Sequence, residues 1–104
     1  MDFEFDELKR EFLAEARTKV DEIGEALGQQ NATAFERMTY LAHQLKGAGG
    51  SYGFHKISTE AAALETTLER MAGGGNAESA RTLALHVRAL TDEIEMRSAE
   101  LTST

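Results

Sequence analysis

His43, Lys46, Gly47 and Gly50 are spaced so that they would share one face of a helix. Residues three and four positions apart are neighbours on a helix surface, so Lys46 and Gly47 would lie beside His43 and Gly50 one turn further on. A neutral imidazole is a nucleophile that can form a covalent intermediate with an electrophilic phosphorus. A lysine ammonium beside it would bind phosphoryl oxygens. The spacing therefore makes His43 a candidate nucleophile with a cation beside it.

The apolar residues around His43 predict which way the imidazole points. They recur at three- and four-residue steps, which indicates the buried face of a helix: Phe35, Met38, Leu41 with Ala42, Leu45, and Ala48 with Gly49. His43 lies about 100° around the helix from Ala42. We therefore expect its ring to face water or a partner.

Three glycines fall within one turn of this helix, although each costs roughly 1 kcal/mol relative to alanine. Gly49 lies on the apolar face, where it would let a neighbouring helix approach closely. Gly47 and Gly50 would leave the imidazole of His43 unshielded along one side. The alternative is that the glycines end the helix early, since Gly53 suits a left-handed residue after a helix end.

The motif resembles the histidine-phosphotransfer (HPt) domain of multistep phosphorelays. It rests on Ala42-His43-x-Leu45-Lys46-Gly47, then Gly53, then an apolar helix through Leu64-Glu65. This motif core covers about residues 40–65, and the helical plan of the family covers the whole chain. The resemblance implies that His43 takes a phosphoryl group from a receiver-domain aspartyl phosphate, or from a hybrid histidine kinase, and passes it to another receiver aspartate. It also implies that the receiver brings Mg²⁺, so that this chain needs no cofactor.

By the same resemblance, further residues are assigned to the site. Glu65, 22 positions after His43, would orient the ring by accepting a hydrogen bond from Nδ1, with a solvated surface acid as the alternative. Residues expected to contact the partner are Tyr40, Gln44, Gly50 and Lys56. An apolar docking patch would comprise Met38, Tyr40, Leu41, Tyr52 and Phe54, with positions in the core or at the bundle end as the alternative for most of them.

Length, composition and net charge exclude several classes of protein. The chain of 104 residues is expected to form one domain, residues 1–104, and it contains no cysteine, so it has neither disulfide nor thiolate chemistry. The net charge of -7 argues against nucleic acid or an anionic membrane surface as partner. The acidic N-terminus does not resemble a signal peptide, and no apolar run approaches the roughly 20 residues that span a bilayer. We expect a cytoplasmic monomer.

The distribution of charge along the sequence predicts basic surroundings for His43. Nine acids lie in the first 25 residues, whereas none lies between Arg37 and Thr59. Arg37, Lys46 and Lys56 contribute three positive charges to that interval. A phosphoryl group with about two negative charges would be tolerated there.

Four amphipathic segments predict an all-α, antiparallel up-down-up-down four-helix bundle. The segments are residues 5–29, 33–51, 55–71 and 76–98, and the resemblance allows a separate short N-terminal helix, with a bend between Ala14 and Arg17. Asp2 or Asp6 would cap the first helix, Asn31 or a capping box of Thr33 with Glu36 the second, and Asn76 the fourth. The apolar faces outside the second helix are Phe3, Phe5, Leu8, Phe12, Leu13, Ala16, Val20, Ile23 and Leu27; Ile57, Ala61, Leu64, Leu68 and Met71; and Ala80, Leu83, Val87, Leu90, Ile94 and Leu101.

Other functions remain as alternatives. A carboxylate metal site would need Glu-x-x-His pairs, which the three histidines do not form. No enzyme with its own ATP site is predicted, because Lys46-Gly47 reverses the order of a phosphate-binding loop. A histidine-bearing fragment of a sensor or chemotaxis kinase, or a helical adaptor without chemistry, would also fit four helices. His55 is expected to be exposed, and His86 to be a partly buried structural residue.

Overall fold

The computed structural model describes residues 3–29, 31–71 and 75–102, with Phe3 described by its backbone only. They form four helices: α1 (Phe3–Leu27), α2 (Ala32–Ser51), α3 (His55–Arg70) and α4 (Ala77–Thr102). Each helix packs against the next, and α1 packs against α4, which closes the bundle. The predicted all-α four-helix bundle is confirmed. Within the described ranges, no helix has the length and apolar character needed to cross a membrane.

The N-terminal segment is one continuous helix, so the extra short helix and the bend between Ala14 and Arg17 are wrong for residues 3–27. The reason is an unbroken buried face, which consists of Phe12, Leu13, Ala16, Val20, Ile23 and Ala26. No proline interrupts it. Asp6 lies within α1 instead of capping it, and Asp2, the other cap expected there, lies outside the described residues.

Side-chain caps start two of the helices. Asn31 has an extended backbone, and its Oδ1 accepts a hydrogen bond from the backbone N–H of Ala34 at 2.7 Å. Of the two predicted starts of α2, Asn31 is therefore the cap, and Thr33 lies inside the helix. The predicted cap at Asn76 is confirmed, because its Oδ1 accepts from the N–H of Ser79 at 2.9 Å.

The core follows the predicted apolar faces with two differences on α1. Leu8 is 46% exposed because it lies one turn before Phe12, whose ring already lies at the end of the bundle against Tyr52 and Phe54. Phe5 is 38% exposed at the end of the bundle, where its ring lies 6.3 Å from that of Tyr52. Phe35, Val87 and Leu101 are partly buried against the core.

The turn between α2 and α3 depends on two glycines. α2 continues through the glycine cluster to Ser51, so the alternative of an early helix end is wrong. Gly53 adopts φ +83°, a left-handed conformation that glycine tolerates best. At Gly49, a Cβ atom would lie 3.2 Å from the backbone N of Ser58 and 3.3 Å from Cγ2 of Ile57. The predicted close approach of a neighbouring helix at Gly49 is confirmed.

We expect Gly49→Val to destabilise the bundle by about 2 kcal/mol, because the backbone of α3 cannot make room without shifting. Gly47→Ala is the matched control on the same helix, since a Cβ there meets no atom within 4 Å. It should stabilise by roughly 0.5–1 kcal/mol through helix propensity. Urea denaturation measures both, and equal effects at the two positions would contradict the close packing.

Candidate functional site

His43 lies on the outer surface of α2. Ala42 and Leu45, on the inner face of the same helix, are 0% and 1% exposed and lie in the core. The side chain of His43 is 66% exposed. The imidazole is therefore presented to solvent by a helix whose opposite face is fixed by packing.

The ring of His43 is held from α3. Its Nδ1 lies 2.9 Å from Oε2 of Glu65, the residue that the resemblance assigned to this contact. The Glu65 side chain is only 13% exposed, because it lies between α2 and α3. A second contact joins the two helices nearby, in which the Ser58 hydroxyl donates to the carbonyl of Lys46 at 2.8 Å.

The other oxygen of the Glu65 carboxylate is engaged by Lys46. The Lys46 Nζ lies 2.8 Å from Oε1 of Glu65. The hydrogen bond from Lys46 lowers the pKa of Glu65 most; burial opposes it, and the hydrogen bond from His43 lowers the pKa further. The carboxylate is therefore ionised at neutral pH and accepts a hydrogen bond from Nδ1–H of His43. That tautomer leaves the Nε2 lone pair free.

The two glycines beside His43 differ in their surroundings. A Cβ on Gly47 would meet no atom within 4 Å, so this side of the imidazole is open. A Cβ on Gly50 would lie 3.6 Å from the hydroxyl oxygen of Ser58, although the residue itself is exposed. Gly47 thus leaves the larger approach to the ring.

The expected basic surroundings of His43 are wrong once the chain is folded. Glu65 from α3 lies directly against the ring, and the Arg37 guanidinium is paired with the Glu22 carboxylate from α1. Lys56 lines a separate depression at the end of the bundle, which it shares with Lys9 and Arg97. A count along the sequence missed acids that packing brings across from other helices.

A groove of about 520 Å³ runs between α2 and α3 beside the imidazole. Its lining residues are Phe35, Glu36, Thr39, Tyr40, His43, Glu65, Leu68 and Glu69. Tyr40 is 53% exposed, and its hydroxyl accepts a hydrogen bond from the Gln44 side chain at 2.8 Å. The imidazole thus lies at the end of a surface groove with apolar lining.

A family model described as Hpt domain matches residues 7–100 of the 104-residue chain. The chain belongs to the Hpt domain family. Domains of this family are histidine-phosphotransfer modules of phosphorelays, not classical enzymes, and they interact with receiver domains of two-component systems. Comparison with curated proteins and with solved structures gave no match.

The apolar patch expected on this Hpt domain is largely wrong. Met38 and Leu41 are each 1% exposed and belong to the core. Tyr52 and Phe54 stack on Phe12 at the end of the bundle, and their ring centroids lie 5.1 and 5.7 Å from that of Phe12. Of the five residues, Tyr40 alone lines the groove beside His43.

Sequence reasoning named Tyr40 but missed its groove neighbours Glu36, Thr39 and Glu69, which a helical projection indicates. Glu36, Thr39 and Tyr40 precede His43 by seven, four and three residues, which places them in one row along α2. Glu69 follows Glu65 by four on α3. The spacing was available in the sequence, but the facing of the two rows requires the packed helices.

The other two histidines have the surroundings expected for them. His55 is exposed at the start of α3. His86 on α4 is partly buried, with its Nδ1 3.1 Å from Oε2 of Glu60 on α3. Within the three described segments, no group of three or more histidine, cysteine or acidic residues is arranged to hold a metal ion.

We expect Glu65→Gln to lower the free energy of unfolding at neutral pH by about 1 kcal/mol. The folded pKa of Glu65 lies below its ordinary value of 4.5, so its contribution is present above that value. The contribution is lost as pH falls through the lowered native pKa, and the difference between the two proteins should shrink with it. Glu69→Gln, at an exposed position one turn along α3, is the control. Urea denaturation from neutral pH down through the lowered pKa of Glu65 tests the effect. A difference in unfolding free energy that does not change with pH would contradict it.

Proposed function

We propose that His43 is the phosphoryl-accepting residue of this Hpt domain. Its Nε2 would receive the phosphoryl group from an aspartyl phosphate on a receiver domain or hybrid histidine kinase, and would pass it to the aspartate of another receiver. The main support is the 2.9 Å contact between Nδ1 and Glu65, which leaves Nε2 as the free nucleophile on an exposed ring.

In the first transfer, the Nε2 lone pair of His43 attacks phosphorus in line with the bond to the donor carboxylate. An N–P bond forms, the P–O bond breaks, and its electron pair leaves with the aspartate carboxylate. The ring then carries a substituent on Nε2 and a proton on Nδ1, so it is positively charged. The Glu65 carboxylate at Nδ1 balances this charge.

The second transfer reverses these bond changes with a new carboxylate. An acceptor oxygen attacks phosphorus, the N–P bond breaks, and its electron pair returns to Nε2 of His43. Because Nδ1 keeps its proton, the ring leaves as neutral imidazole, which is a better leaving group than imidazolate. Glu65 therefore serves both directions as a positioning residue, without taking up the proton.

Lys46 supplies positive charge near the phosphoryl group in this proposal. Its ammonium is anchored on Glu65 at 2.8 Å, and its side chain is 40% exposed, so oxygens on Nε2 of His43 can attract it. Gly47 keeps the approach clear. Mg²⁺ and the remaining catalytic groups would come with the receiver domain.

The surface around the imidazole would contact the partner. Tyr40 and Gln44, which are hydrogen-bonded to each other, flank His43 on α2. Gly50 lies two turns beyond His43, and Lys56 would be reached only by a partner that extends to the depression at the end of the bundle. A monomer working in the cytoplasm is part of the same proposal.

His43→Gln should keep the fold and abolish acid-labile, alkali-stable labelling by phosphorylated receiver domains, because it removes the only nucleophile in the proposed reaction. The control is His55→Gln, which changes another exposed histidine and should label normally. Labelling that survives in His43→Gln would move the site elsewhere. Full biological activity of His43→Ala would favour a helical adaptor without chemistry.

Gly47→Gln should slow transfer from a receiver about tenfold or more, because the new side chain occupies the open side of the imidazole. Stability should change by less than about 1 kcal/mol, since glutamine is the better helix former. Gly24→Gln is the matched control: Gly24 is an exposed glycine within α1, where the nearest atom to a Cβ is 3.9 Å away. Rapid-quench measurements give the rate of phosphoryl transfer to both variants. Equal rates for the two would assign Gly47 no part in access.

A further inference from the structure

The groove beside His43 has an apolar floor and an acidic border. Leu68, 2% exposed, and Phe35 form the floor, and Tyr40 forms one wall. Glu36 on α2 and Glu69 on α3 line the same groove, and both are exposed. The groove therefore offers apolar contact together with negative charge.

The two border carboxylates differ from the other acids at the interfaces of α2. Glu22 and Glu65 are paired with Arg37 and Lys46. Within the described residues, neither Glu36 nor Glu69 takes part in an ion pair. Their charges are not neutralised inside the domain and face whatever occupies the groove.

The acidic border lies close enough to the reacting atom for one protein partner to contact both. Glu36 precedes His43 by seven residues, which is about 10 Å along a helix that rises 1.5 Å per residue. A partner that brings a carboxyl-bound phosphorus to Nε2 of His43 also covers surface at this distance, since specific protein interfaces bury roughly 800 Å² on each side. The groove is continuous with the imidazole, so the same partner meets both.

We propose that this groove, whose role rests on the function proposed above, selects among receiver domains by the chemistry of their docking surface. The favoured receiver presents an apolar side chain to Leu68 and Tyr40, with a lysine or arginine beside it facing Glu36 and Glu69. A receiver with an acid at that position is rejected by like-charge repulsion. An anionic small molecule is disfavoured for the same reason.

The test compares two charge-reversed proteins with the same change in net charge. One carries Glu36→Lys and Glu69→Lys. The matched control carries Glu11→Lys and Glu15→Lys at exposed positions of α1, the helix diagonally opposite α3. A third protein with Glu36→Gln and Glu69→Gln removes the charge without reversing it. Circular dichroism and thermal unfolding check that each variant is folded.

The probe is the receiver domain that labels the wild-type chain fastest in a panel from the source organism, each phosphorylated with acetyl phosphate and separated from it. Transfer to each variant is measured over a range of receiver concentrations. Ionic strengths of about 0.1 M and about 1 M are compared, because the screening length falls from roughly 10 Å to roughly 3 Å between them.

We expect kcat/KM to fall at least about tenfold in the lysine variant of the groove, through KM, and to a smaller extent in the glutamine variant. The difference should disappear at high ionic strength, and the control on α1 should transfer within about twofold of wild type. Equal losses in both lysine variants, no loss in either, or a loss confined to kcat would overturn the docking inference. Failure of every receiver to label the wild-type chain would instead overturn the proposed function.

Discussion

One carboxylate shared by two partners holds the site together. The Glu65 side chain is 13% exposed, and a charge at that depth is stable only when it is paired and hydrogen-bonded. Lys46 satisfies one oxygen and the His43 ring the other, at 2.8 and 2.9 Å. The same carboxylate fixes the tautomer of the ring and so leaves Nε2 nucleophilic. Stability and reactivity are thereby coupled through a single side chain.

The shared carboxylate in turn depends on how closely α2 and α3 approach. Gly49 gives α3 room to pack its first turn against α2, and the backbone N–H of Phe54 bonds the carbonyl of Gly49 at 2.8 Å. The left-handed Gly53 reverses the chain between them. Because helices are stiff, a shift of α3 at this turn would displace Glu65 relative to both of its partners. Gly49 and Gly53 therefore help to set the geometry of the His43 site.

The residue pattern predicts what is local to one helix and misses most of what arises between helices; the His43–Glu65 contact was expected only from the family resemblance. Periodicity gave the buried face around Leu45 and the outward direction of His43, because both follow from 3.6 residues per turn. It did not give the Lys46–Glu65 ion pair, since the register of α2 against α3 is decided by packing. For the same reason, the stretch without acids around His43 suggested a basic site, although Glu65 occupies it. The exposure of Leu8 was missed for another reason, since periodicity does not show where along α1 the bundle ends.

The contacts that carry the chemistry are poorly suited to choosing a partner. In the proposed relay, donor and acceptor both present a carboxylate to Nε2 of His43, so Lys46 and Glu65 meet much the same groups in each transfer. Discrimination between receivers must then come from contacts that do not take part in bond making. On this surface such contacts lie along the groove between α2 and α3, where exposed residues differ in charge and size without disturbing the ring. A domain built in this way can change partners by substitution at its groove while its reacting atoms stay the same.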